Sequence, residues 1–242
     1  MGFKDLFIKK NSENSEEKCG IDKIVLDALK STNSTVKIKG NEYLIQNEKF
    51  NVLGNSLEIF ANVIFVLTKR YDFFNDNGPI TFFDIGTDFG VVPIHLYTSK
   101  QVKNVFVFEP WQKRVKYIKR NLKENIYKND FVFFNFGLKN SSDTLSCENE
   151  ILYYKGILDT LTPLFVKTEN SIALRLGYGA HYLDIINSLI KNYLIKYVDY
   201  LIIDFNDGLN DEIISNLERM KYIVKISFDD TEKKSGLVFA KK

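Results

Sequence analysis

Three acids and a pair of glycines carry the chemistry that this sequence offers. The run Phe83-Asp84-Ile85-Gly86-Thr87-Asp88-Phe89-Gly90 closes an apolar strand pattern and opens a helical one over residues 91–97. Glycines at a strand-to-helix turn let the backbone approach a ligand closely. Pro93 suits the first helical turn, where a missing N–H costs little. Glu109, followed by Pro110, ends the next apolar run at 105–108. It stands roughly 20 residues beyond Gly86, the interval at which an acid meets ribose hydroxyls. Open α/β sheets take ligands in the crevice beyond their strand carboxyl ends, so the two segments together predict a nucleoside site.

The charge pattern discriminates among nucleosides. A dinucleotide needs its pyrophosphate at the helix N-terminus, held by G-x-G-x-x-G. Here Asp88 replaces the middle glycine and Asp84 lies just upstream. Two carboxylates repel a pyrophosphate. S-adenosyl-L-methionine has no phosphate, and its ammonium group, sulfonium and ribose diol all suit acids. The methyl donor is therefore favoured over NAD, which would make the chain an oxidoreductase. The remaining alternative is an ordinary strand turn with an acidic rim.

A hydroxyl acceptor must lose its proton as it attacks, to a carboxylate or a histidine. Asp204, closing the apolar run 200–203, is the first candidate; a turn or capping carboxylate is its bland alternative. His181 follows in Arg175-Leu176-Gly177-Tyr178-Gly179-Ala180-His181-Tyr182, an aromatic and cationic stretch able to close over an anionic acceptor, or simply a solvent-facing loop. His95 falls inside the first crossover helix and reads as structural. Asp204 and Asp207 are too few to hold a metal ion, and none is expected. Lys113, Arg114, Lys116, Lys119, Arg120, Lys123 and Lys128 mostly avoid the apolar positions Val115, Ile118 and Leu122, which reads as a solvated helix face.

These groups need a frame. Short apolar runs at Ile80–Ile85, 105–108, 131–136 and 200–203 lie among helical patterns, of which residues 112–127 are the clearest. Unbroken strands joined by helical crossovers imply a parallel sheet buried on both faces. The fold expected is α/β: a doubly wound, mostly parallel Rossmann-like sheet over residues 75–242. Residues 138–180 read as polar turns with a Tyr153-Tyr154 pair and one further strand at 172–176. A helix is expected from Leu183 to Leu194 and another at 211–220. Residues 222–228 and 237–240 form a closing antiparallel hairpin. Residues 1–74 form an N-terminal extension packed on the core, with a polar leader, helices near 21–29 and 57–71, and a hairpin over 35–47 turning at Gly40-Asn41.

Composition bounds the class. The 242 residues are 45% hydrophobic and 26% charged, which excludes a disordered or fibrous chain. With 33 Lys+Arg against 31 Asp+Glu the net charge is +2, giving little attraction for a polyanion and counting against nucleic acid as a partner. Cys19 and Cys147 stand too far apart for a zinc site or a disulfide framework. No secretion signal or membrane-length apolar run is found, so a cytoplasmic protein without membrane contact is expected. The 20 Phe and 13 Tyr, among many Lys, Asn and Ile, read as genome base composition more than function.

The stretch from Phe83 to Gly90, Phe108-Glu109-Pro110, the helix with Asn121-Leu122 and Asn125, and Leu201-Ile202-Ile203-Asp204 together resemble FkbM-type S-adenosylmethionine-dependent methyltransferases over roughly residues 80–242. The resemblance implies a class I methyltransferase fold and O-methylation of a small molecule or a sugar or glycan precursor. It implies that Asp84, Gly86 and Gly90, with Thr87 and Asp88 between them, line the methionine end. Glu109 would bind the ribose, Pro110 and Trp111 flank the adenine, and Phe136, Gly137 and Leu138 border it on the other side. The sequence departs from the family at Asp88, where Asn is usual. It departs again at Ile203-Asp204-Phe205-Asn206-Asp207-Gly208, one residue longer than Ile-Asp-Val-Glu-Gly and without its Glu. That second departure motivates the rival expectation of a catalytically silent binding protein.

Overall fold

The computed structural model describes residues 35–38, 41–44, 74, 78–87, 90–98, 101–125, 130–147, 150–177, 181–205, 208, 210–228 and 236–242. The expected helices near 21–29 and 57–71, Asp88, the loop 178–180, Asn206, Asp207 and the turn 229–235 lie outside these residues. Strands β1 (Thr35–Ile38) and β2 (Asn41–Leu44) pair antiparallel with Val36 opposite Tyr43, the hairpin expected around Gly40-Asn41.

The chain then builds β3 (Ile80–Ile85), α1 (Val91–Thr98), β4 (Asn104–Phe108), α2 (Gln112–Asn125) and β5 (Phe131–Phe134). A three-stranded detour follows: β6 (Gly137–Lys139), β7 (Asp143–Cys147) and β8 (Glu150–Gly156). Helix α3 (Ile157–Lys167) leads to β9 (Ser171–Leu176), and α4 (Tyr182–Lys191) with a 3-10 turn (Leu194–Tyr197) leads to β10 (Val198–Phe205). Helix α5 (Asp211–Arg219), β11 (Ile223–Phe228) and β12 (Gly236–Lys241) complete it.

The main sheet has seven strands in the order β11-β12-β10-β9-β3-β4-β5. All neighbouring pairs from β5 to β10 are parallel, and β12 alone runs against the rest. This is the doubly wound, Rossmann-like arrangement expected, with its closing hairpin. The chain leaves β3 toward β4 on one side and returns to β9 on the other, so the order reverses between β3 and β9. Ligands of such sheets bind at that switch point. The detour forms a separate sheet in the order β6-β8-β7.

Packing explains the strand composition. Every residue of β3 is buried, as are all of β10 but Asp199, because helices cover both faces. The phenylalanines form a ladder across the sheet. Phe83 stacks on its register partner Phe106 at 4.7 Å, and Phe108 on Phe134 at 4.6 Å. Phe165 of α3 meets Phe83 edge-on at 5.0 Å. Each fully buried Phe contributes about 1.5–3 kcal/mol, so these residues serve the core, whatever the genome's base composition. On α2, Val115 and Ile118 face inward, while Lys113, Lys116 and Lys119 are exposed, a solvated face as expected.

The small sheet β6-β8-β7 stands where polar turns are expected, and three further elements differ from expectation. The apolar run 131–136 ends as a strand at Phe134 and bends at Asn135-Phe136 before β6 begins. Helix α3 was not foreseen: it buries Ile157, Leu161 and Phe165 at four-residue intervals, with Pro163 inside it and exposed. The strand read at 172–176 takes a central place, between β3 and β10, making the run at 200–203 the fifth parallel strand rather than the fourth.

Candidate functional site

Three adjacent strands each bury one ionisable side chain near their carboxyl ends. Asp84 on β3 is the register partner of Arg175 on β9, and Ile202 on β10 pairs with the same arginine. With a two-residue strand period, Asp84, Arg175 and Asp204 therefore share one face of the sheet. Arg175 Nη1 donates to Asp84 Oδ1 at 2.9 Å, and Nη2 donates to Asp204 Oδ2 at 2.6 Å. The Thr87 hydroxyl donates to Asp84 Oδ2 at 2.5 Å. Asp84 and Arg175 are 0% exposed and Asp204 is 3% exposed. Burial works against a charged guanidinium, but Asp204 and then Asp84 outweigh it and hold Arg175 above its ordinary pKa. The planar fork of arginine suits this double engagement.

Backbone closes over the clamp. Gly86 N–H donates to Phe108 O at 3.0 Å and Gly177 N–H to Ile85 O at 2.8 Å. A Cβ on Gly177 would lie 2.3 Å from Gly86 O and 3.2 Å from the Arg175 Cζ, so the loops leaving β3 and β9 meet only because residue 177 lacks a side chain. Gly86 and Gly90 both take φ of 75°, the left-handed region that glycine enters without strain. Gly90 N–H donates to Thr87 O at 3.1 Å and Gly90 immediately precedes α1, which makes this a tight turn into a helix N-terminus.

Glu109 immediately follows β4 at 1% exposure, and its Oε1 accepts from the Trp111 N–H at 3.0 Å. The Arg114 guanidinium lies 4.0 Å from that oxygen and 5.5 Å above the Trp111 ring. Pro110 O accepts from Asn135 at 3.4 Å, joining the loops after β4 and β5. Phe136 packs edge-on against Phe108 at 5.9 Å under the Lys155 ammonium, and Leu138 is buried. Gly137 is buried opposite Tyr154 in the β6–β8 register. The Tyr154 ring also meets the His181 ring edge-on at 5.9 Å. His181 itself is exposed at the start of α4, where the neighbouring Tyr182 hydroxyl donates to Gly208 O at 3.5 Å.

The structure thus brings Asp84, Gly86, Thr87 and Gly90 to the end of β3, Glu109, Pro110 and Trp111 to the end of β4, and Phe136, Gly137 and Leu138 to the end of β5. Asp204 joins Asp84 within the clamp rather than standing on an open rim. Arg175, expected in a cationic stretch able to close over an anionic acceptor, is instead buried within β9 between two carboxylates, and Tyr154 escaped the sequence reading of the site. A signal existed for the arginine, since an arginine inside Ile172-Ala173-Leu174-Arg175-Leu176 must find carboxylates if that run is a buried strand. Among the described residues, no group of three or more His, Cys, Asp or Glu is placed to hold a metal ion, and no helix is long and apolar enough to cross a membrane.

No family model matches the sequence, and no curated protein matches it. Solved structures do resemble it. The methyltransferase FkbM of Methylobacillus flagellatus is 10% identical, with 96% of this chain and 60% of that one covered at a TM-score of 0.49. The ribosomal protein L11 methylase of Lactobacillus delbrueckii subsp. bulgaricus is 16% identical over 77% of this chain and 79% of its own, at 0.48. TrmK of M. capricolum, in complex with S-adenosyl-homocysteine, is 16% identical over 68% and 62%, at 0.41. These are likenesses of fold. The chain spans 60% of the length of the Methylobacillus protein and 62% of that of TrmK.

Proposed function

We propose that the chain is an S-adenosyl-L-methionine-dependent methyltransferase acting on a hydroxyl of a small molecule or a sugar or glycan precursor. The observation that carries this reading is Glu109, a buried carboxylate at the end of β4, set beside the glycine turn that enters α1. A nucleoside with a ribose diol fits an acid there. The left-handed Gly86 supports a methionine end lined by bare backbone, while the buried Gly90 lets the turn pack on α2, where a Cβ would lie 2.7 Å from Ile118 Cγ2. When bound, the donor supplies an electrophilic methyl group on sulfur.

The protein's own contribution is positioning, which supplies much of the rate of an in-line displacement. Glu109 orients the ribose, and the clamp of Asp84, Arg175 and Asp204 fixes the ends of three strands beneath it. Asp204 has an oxygen committed to Arg175 at 2.6 Å. His181, exposed at the rim, is the better placed group to take the proton of an acceptor hydroxyl.

Calorimetry with S-adenosylhomocysteine tests the donor. Binding is expected, and Glu109→Ala should weaken it about 10- to 100-fold, the equivalent of one hydrogen bond to a charged group. No heat and no thermal shift at millimolar ligand would overturn the reading. A second reading, a cofactor-binding protein without methyl transfer, is favoured by the commitment of Asp204 to the clamp. Donor turnover with a panel of hydroxylated acceptors separates the two.

A further inference from the structure

Ribose at Glu109 leaves the base of a nucleoside to lie over the neighbouring strand end, beside Pro110 and Gly137. That place is occupied by a side chain of the protein. An ideal Cβ on Gly137 would lie 2.6 Å from Tyr154 Cε1, 2.7 Å from Tyr154 Cδ1 and 3.5 Å from Pro110 Cγ. The tyrosine ring therefore lies directly on the glycine, on the same side as Pro110. The Lys139 ammonium sits 4.3 Å from its centroid and is tethered to Asp143 at 3.6 Å. The imidazole of His181 meets the ring edge-on. Burial, and after it the Glu109 carboxylate, pushes the Tyr154 phenol up, which places this side chain within the field of the ribose-binding acid.

We propose that Tyr154 plugs the donor pocket: its ring stands where the purine of the donor must lie, and nucleoside binding requires it to leave Gly137. This rests on the donor reading above and adds to it a residue that governs access. The chemistry of the plug matches the guest, a flat aromatic ring with a hydroxyl at one end. Gly137 is the residue that makes the arrangement possible, because any side chain there would collide with the ring. The same ring contacts His181, so its departure also changes the surface offered to an acceptor. Donor before acceptor is the order of binding that follows.

The test uses the full chain, with S-adenosylhomocysteine as the probe and Trp111, the only tryptophan of the sequence, as the fluorescent reporter. A pocket closed most of the time binds more weakly by the fraction of time it is open. Tyr154→Ala should then tighten binding on the order of tenfold, while Tyr154→Phe, which keeps the ring, binds like wild type. In stopped flow, the wild-type rate should level off with rising ligand at the rate of ring departure, and that of Tyr154→Ala should stay linear. Tyr154→Leu, which keeps apolar cover over Gly137, serves if the alanine variant fails to fold, and should also tighten binding. Unchanged or weaker binding by the folded ring-deleted variant, alongside measurable wild-type binding, overturns the plug and makes Tyr154 a stacking wall. Failure of both wild type and variants to bind overturns the donor reading, and the plug with it.

Discussion

Replacing Arg175 by methionine tests the clamp on which the site is built. Methionine keeps much of the length and apolar stem but removes the charge and every donor. Asp84 and Asp204 would then remain on one sheet face, 0% and 3% exposed, with two negative charges and no cation between them. Breaking a buried pair by removing one partner costs about 3–5 kcal/mol. Two pairs share this arginine, at 2.9 and 2.6 Å, so the upper part of that range applies without doubling, since the contributions are coupled. A loss of roughly 4–5 kcal/mol lowers Tm by about 8–20 °C in a chain of this size and removes a large share of a typical stability of 5–15 kcal/mol.

Urea unfolding followed by circular dichroism reads this loss, and a companion triple variant gives the control. Arg175→Met with Asp84→Leu and Asp204→Leu removes all three charges and their buried polar atoms, and replacing a buried ionic group by hydrophobic residues of similar volume is often neutral or stabilising. The triple should recover most of what the single loses. Arg175→Lys should fall between, because one ammonium cannot reproduce a fork aimed at two carboxylates. A single variant within 1 kcal/mol of wild type, or a triple no better than the single, would refute the clamp. The arginine's raised pKa keeps it charged at every pH where the protein can be handled, so no pH dependence is expected from that residue.

Asn210 caps α5 by accepting from Glu212 N–H at 2.9 Å and Ile213 N–H at 3.2 Å; Asn210→Ala should cost about 1 kcal/mol in thermal unfolding and leave donor affinity unchanged. The buried Tyr222 hydroxyl donates to Ile195 O at 2.9 Å and to Val198 O, tying the start of β11 to the turn before β10, so Tyr222→Phe should cost about 1–2 kcal/mol at pH 7. Burial, with Asp199 adding to it, pushes this phenol above its ordinary value of 10.0. Its contribution is therefore complete below pH 10 and lost as pH rises beyond it, and the gap between wild type and Tyr222→Phe in urea unfolding should narrow from pH 9 to 11.

What the sequence made legible follows from where each signal lives. β3, β4 and β10 were visible because strands covered on both faces are apolar without a break. The amphipathic α2 and the closing hairpin were visible through their periods. Helix α3 was obscured by Pro163 and its two threonines, although Ile157, Leu161 and Phe165 hold the helical spacing. β9 looked marginal because Arg175 interrupts it, and its central place depends on partners 91 and 29 residues away in the chain. The small sheet β6-β8-β7 was hidden for the opposite reason. It is short and half exposed, with Leu145, Ile151 and Tyr153 open to solvent, so no run of buried residues marks it. The candidate site residues at the ends of β3 and β4 announce themselves by motif and interval, whereas Tyr154 is brought beside Gly137 only through the β6–β8 pairing.

The clamp also changes how the proposed site would select its guest. An acidic rim formed by Asp84 would repel a pyrophosphate, but Asp84 is interior and neutralised in part by Arg175. Two carboxylates against one guanidinium still leave the cluster with one net negative charge, in a place where water screens it little. Glu109 adds a third carboxylate just past the end of β4, itself with Arg114 at 4.0 Å. The proposed preference for a cationic, phosphate-free nucleoside would therefore rest on the sum of a buried triad and one further acid. Neutralising Glu109 alone should relax that preference more than any change at the surface, because it is the carboxylate at the nucleoside end that is not shared between two strands.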